Sequence, residues 1–129
     1  MTTDVDYEAM TPVQVEHHLN RLRVEIPKAV IALREARRAE VRARAAFKAE
    51  RRRAVLSPDC PKPSRDGHTV AYRDAWVEEQ SQHSEWAYDV ARVSREAAED
   101  HVRGLRDESM VLMALGRSVN TAYQMAGER

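Results

Sequence analysis

Ten positions, Val15, Leu19, Leu22, Ile26, Ala29, Leu33, Ala36, Glu40, Ala43 and Phe47, follow one another at alternating spacings of four and three residues. Glu40 alone among them is not apolar. A repeat of this kind sets a single stripe along one helix and is the pattern of helices packed along their length. It constrains the fold more than any other feature of the chain, because it asks for a long helix and a second one to cover it.

The ends of that helix are marked. Thr11 can cap it, Pro12 suits the first helical position, and Gln14 completes the capping-box spacing. Pro27 falls inside the repeat, where a proline costs about 3 kcal/mol and kinks a helix. The stripe keeps its phase across Pro27, which favours one kinked helix over two helices abutting near residue 26. Pro58 disfavours helical geometry before it, so the helix should stop at Leu56-Ser57. Residues 57–68 hold three prolines, a glycine and polar caps, and read as a connector. Asp66 or Thr69 could cap the next helix.

The second helical region runs over 69–126. Trp76, His83, Trp86, Val90, Val93 and Ala97 give one stripe. Ala98, Val102, Leu105, Leu112, Val119 and Tyr123 give another, offset by one residue. The offset predicts a stutter or break near Gly104, and the polar run Ser81-Gln82-His83-Ser84 marks a second candidate discontinuity. Gly127 fits a C-terminal stop. The expected fold is all-α: an acidic lead over 1–10, then one domain made of a helix over 11–56, the connector and a helix over 69–126. The two helices would form an antiparallel hairpin in which residue i faces roughly residue 125 − i. Residues 110–115, MVLMAL, are apolar nearly all round, so the hairpin is expected to assemble into an oligomeric bundle or ring.

The chemistry that the residues exclude is broad. The acidic N-terminus lacks an apolar signal core, and no apolar run approaches the length of a bilayer, so a soluble cytoplasmic protein is expected. The single Cys60 cannot form an intrachain disulfide. His17, His18, His68, His83 and His101 form no metal-ligand spacing, and Cys60 with His68 supplies two ligands where zinc needs more. There is no Gly-rich phosphate loop, HExxH motif or nucleophile elbow. The expectation is a non-enzymatic protein without cofactor or metal.

What stands out is charge. The formal net charge of the 129 residues is zero, yet 34–53 alone hold nine bases against three acids, a net +6. The bases are Arg34, Arg37, Arg38, Arg42, Arg44, Lys48, Arg51, Arg52 and Arg53. At 100° per residue they cover roughly a 200° arc, leaving a thin seam of alanines with Phe47 as its anchor. In the expected register the run faces Asp74, Glu78, Glu79, Glu85 and Asp89. One neighbouring helix covers too little of the circumference to neutralise such an arc. Tyr72, Trp76, Trp86 and Tyr88 would lie opposite Phe47, where single-strand binders place stacking rings, but Trp76 and Trp86 share a stripe with Val90 and Val93 and read as core.

The basic run carries the segment Arg42-Ala43-Arg44-Ala45-Ala46-Phe47. It resembles the DNA-contacting signature of the phage recombination mediator family, the UvsY-like proteins of T-even phages: a basic residue, Ala, Arg, two residues, then an aromatic. Ala46 stands where that family commonly has an acid. Residues 104–119 resemble the family's assembly region. The resemblance implies a ring-like oligomer in the host cytoplasm that binds single-stranded DNA and helps load a recombinase onto strands coated by single-strand-binding protein. It points to Arg42 and Arg44 as the main contacts, with Phe47 as the aromatic of the signature; Arg37, Arg38, Lys48, Arg51, Arg52 and Arg53 would widen the cationic surface. The alternative is a structural or assembly protein, scaffold or chaperone-like, whose charges serve pairing between subunits. A third reading is a small inhibitor presenting a helix face to a protein target.

Overall fold

The computed structural model of the protein describes residues 10–127, so most of the acidic lead expected over 1–10 lies outside the described residues. Among the described residues there are three α-helices: α1 (Pro12–Leu56), α2 (Val70–Gln80) and α3 (Gln82–Gly127). Among the described residues no strand forms, and the connector contains one isolated bridge between Pro63 and His68.

The start of α1 follows from Thr11. Its backbone N–H donates to Gln14 Oε1 at 2.9 Å, and its hydroxyl accepts from the Gln14 backbone N–H at 3.3 Å. This reciprocal pair satisfies amides that have no partner inside the helix. The helix then runs without a break through Pro27. Thr69, not Asp66, caps α2, its hydroxyl accepting from the Tyr72 backbone N–H at 3.1 Å.

The helix expected over 69–126 is divided, and the division falls at Ser81, in the polar run. Ser81 Oγ donates to the Val77 carbonyl at 2.8 Å, and Ser84 Oγ donates to the Ser81 carbonyl at 3.1 Å. Serine hydroxyls that bond back to helical carbonyls bend a helix. Backbone bonds still cross the break, from Ser81 N to Val77 O and from Glu85 N to Ser81 O. No break falls near Gly104, since α3 continues through it, and no stutter either, since Ala98, Val102, Leu105 and Leu112 keep one phase across it.

Packing divides the chain into two compact units, one of Met1–Ala32 with Glu99–Arg129, the other of Leu33–Ala98. In the first unit the core is Val15, Leu22, Ala29, Val102, Leu105 and Leu112. The contacts run in opposite senses along the two helices: Val15 meets Gly116 and Arg21 meets Glu108. A Cβ added at Gly116 would stand 3.2 Å from Val15 Cγ1, so the glycine permits the close approach there. Arg21 bridges Glu25 at 3.0 Å and Glu108 at 2.7 Å. Beside this core lies an open groove of about 700 Å³, lined by Val15, Leu19, Met110 and Met113 with Arg23 and Arg117.

In the second unit Leu33 is buried on α1, and Ala54, Cys60 and Val77 form a small cluster with Trp76 against it. The buried or half-buried positions of α2 and of α3 within this unit include Val77, Ser81, Ser84, Tyr88, Ala91, Arg95 and Ala98. They too alternate by four and three. The stripe Trp86, Val90, Val93, Ala97 is therefore not core: Trp86 is 64% exposed and Val93 58%. Tyr123, expected to continue the second stripe, is exposed as well. The register also differs from expectation. Glu40 meets Arg95 and Phe47 meets Tyr88, so residue i faces 135 − i in this unit, because the connector and its caps push the centre of the turn further along the chain.

Leu112 is fully buried, and truncating a buried leucine costs about 2–5 kcal/mol. Leu112→Ala is expected to lower the unfolding free energy read from a urea titration by that margin. Gly116→Val, which forces side chain into Val15, is expected to cost roughly 1–3 kcal/mol in the same titration, as overpacking does.

Candidate nucleic-acid interface

The basic residues sit on α1 within the second unit, and the seam decides where they point. Leu33, Ala36, Glu40, Ala43, Phe47, Glu50 and Ala54 are among its buried and half-buried positions. All nine bases from Arg34 to Arg53 are exposed. With one helical stripe inward, the arc of bases centres on the opposite side.

Their partners within the chain differ. Arg37 is already engaged within the protein. Arg38 pairs with Glu35 at 3.3 Å, with both side chains about 60% exposed, a pair worth little to stability. Arg44 contributes to the field that acts on Glu40. Arg51 lies over the Phe47 ring, its guanidinium carbon 5.9 Å from the centroid. Phe47 in turn stacks on Tyr88, with centroids 6.2 Å apart and planes 4° apart. The side chains of Arg34, Arg42, Lys48, Arg52 and Arg53 have no hydrogen bond or ion pair with any described residue.

Of the nine residues singled out from the sequence, eight bases therefore share the exposed side of α1, and Phe47 does not join them. Its ring is half-buried, one face on Tyr88 and the Arg51 cation near it, so it props the surface instead of offering a stacking platform. Of the rings expected opposite it, Tyr88 alone is found stacked there. Tyr72 stacks on His68 instead, at 4.6 Å, and Trp76 belongs to the Cys60 cluster.

Beneath this surface lies one ion pair that the sequence reading missed. Arg95 Nε donates to Glu40 Oε2 at 2.6 Å and Nη2 to Oε1 at 3.4 Å, with both side chains largely covered. The hydrogen bond from Arg95 holds the Glu40 carboxyl below its ordinary value of 4.5, against the opposing effect of desolvation. The signal was present in the sequence. Glu40 is the one charged position of the stripe, and Arg95 is a base in phase with Ala98, Val102 and Leu105.

Among the described residues no group of three or more His, Cys, Asp or Glu could hold a metal ion, and no helix is long and apolar enough to cross a membrane. Compared with protein-family models, with curated proteins and with solved structures, the chain matches none.

A carboxyl with a lowered value in the folded state contributes stability that is present above its unfolded value and lost as pH falls through the folded one. Glu40→Gln is therefore expected to be less stable than the parent at pH 7, with the difference closing below about pH 4.5. Thermal unfolding of both proteins across this range checks it.

Proposed function

We propose that the protein is a non-enzymatic, helical-hairpin accessory factor that binds single-stranded DNA through the outer face of α1. What carries this reading is the set of exposed bases, Arg34, Arg42, Lys48, Arg52 and Arg53, whose side chains find no acid among the described residues. Unpaired arginines at this density repel one another, and a polyanion is the ligand that relieves them. Arginine forks suit phosphate oxygens, and contacts of that kind are independent of base sequence and sensitive to salt.

The resemblance of Arg42 to Phe47 to the recombination mediator signature extends the reading. The protein would act as a mediator in the host cytoplasm, helping a recombinase onto strands held by single-strand-binding protein. Self-association through the C-terminal part of α3 belongs to the same proposal. Met110, Val111 and Met113 are about half exposed or more, beside the open groove of the first unit. One subunit with a few phosphate contacts binds weakly, and several joined subunits add avidity.

An assembly protein without DNA affinity is the second reading. The exposed Trp86, Val90 and Val93 favour it.

Anisotropy of a labelled oligo-dT strand at two salt concentrations tests the first. Each lost phosphate contact should reduce the salt slope by about 0.7 for a single strand. Arg42→Ala with Arg44→Ala should weaken binding and flatten the slope by about 1.4. Lys48→Ala with Arg52→Ala should do the same. Isotherms unchanged in both would remove the face as a DNA site.

A further inference from the structure

The second unit has two outer faces of opposite character. On α1, the side away from the seam carries the exposed aliphatics Val41 and Val55 among Arg38, Arg42, Lys48 and Arg52. On α3, Trp86, Val90 and Val93 lie about half a turn from the seam residues Ser84, Tyr88, Ala91 and Arg95, so they too point away from α1. Trp86 is 64% exposed, Val90 45% and Val93 58%. This apolar ridge is bordered by acids. Trp86 shares a surface hollow with Glu78, Glu79, Glu85 and Asp89, and Glu96 follows one heptad after Asp89.

Asp89 pairs with Arg92 at 3.4 Å, whereas the carboxylates of Glu78, Glu79, Glu85 and Glu96 have no hydrogen bond or ion pair with any described residue. An exposed apolar ridge headed by a tryptophan beside unpaired acids is unusual on a surface that meets only water.

We infer that the Trp86–Val93 ridge docks the arginine face of α1 from a second copy of this chain, a head-to-tail contact that covers the bases when no polyanion is bound. Charge selects this occupant. Two ridges paired by a twofold axis would bring the acid-bordered flank of one copy against the same flank of the other, and two arginine faces would meet base against base. Only the heterologous pairing brings Glu78, Glu85 and Glu96 to Arg38, Lys48 and Arg52. Trp86 supplies the anchor, with an electron-rich face suited to guanidinium groups and enough apolar area to bury against Val41 or Val55. Heterologous contacts do not close by twofold symmetry, so the assemblies grow with concentration. The contact stands without DNA, and shares with the proposed function only the arginine face.

Sedimentation velocity of the full chain at low and high salt, without nucleic acid, tests it. The expected result is concentration-dependent association at low salt that dissolves at about 0.5 M, where screening acts within a few ångströms. Trp86→Ser should weaken association by about tenfold or more, as loss of an interface anchor does. Circular dichroism should be unchanged, because the side chain is exposed. Glu85→Lys with Glu96→Lys, and separately Lys48→Glu with Arg52→Glu, should each abolish association, and an equimolar mixture of the two charge-reversed proteins should restore it. A monomeric parent at low salt, a Trp86→Ser protein that associates like the parent, or a mixture that stays monomeric would each overturn the inference. An oligo-dT arm separates the two readings. Dissolution of the assemblies by the strand supports both, while association that depends on Trp86 in a protein without DNA affinity keeps this contact and removes the DNA reading.

Discussion

In the second unit the ion pair of Glu40 and Arg95 sets which residue meets which. Around Glu40 the α1 seam here is built mainly from Ala36, Ala43 and Ala54 with Leu33 and Phe47, and alanines give a neighbouring helix little to lock onto. A charge placed at a seam position changes that. Sliding the helices by one heptad would leave a largely covered carboxylate without its cation, a far greater loss than any alanine contact. The Phe47–Tyr88 stack sits one heptad away on both helices and holds the same register. A polar residue in a seam is the best-attested device for fixing alignment, and it costs stability that an apolar residue would have supplied.

Fixing the alignment also fixes the outside. Once Leu33, Glu40, Phe47 and Ala54 face inward, the nine bases have no choice but to face out, and Trp86, Val90 and Val93 do likewise on the other helix. The protein is neutral as a whole and sharply divided locally. Total charge therefore says little about its partners, while the arrangement of charge says which kinds of surface it can meet.

Much of this was legible in the residues. The α1 stripe was readable position by position, because every member from Val15 to Phe47 obeys one spacing and the Thr11–Gln14 cap states where it begins. The α3 seam was not, for a physical reason. Its members through the second unit include Ser81, Ser84 and Arg95, which look like surface, while the more hydrophobic stripe two residues away is the exposed one. Hydrophobicity named the wrong face, and phase named the right one: counting back by three and four from Leu105 and Val102 arrives at Arg95, Ala91, Tyr88, Ser84 and Ser81. The basic arc was readable as an arc, but the role of Phe47 depended on the register, which the sequence alone set ten residues too early.

Cys60 offers a practical consequence. It is the single thiol of the chain, and it anchors the proline-rich connector by packing against Ala54, Val77 and Trp76. A maleimide can reach its sulfur only when that corner lifts away from the helix ends. The protein thus comes with its own gauge of how often the connector opens, readable by mass spectrometry without changing a residue.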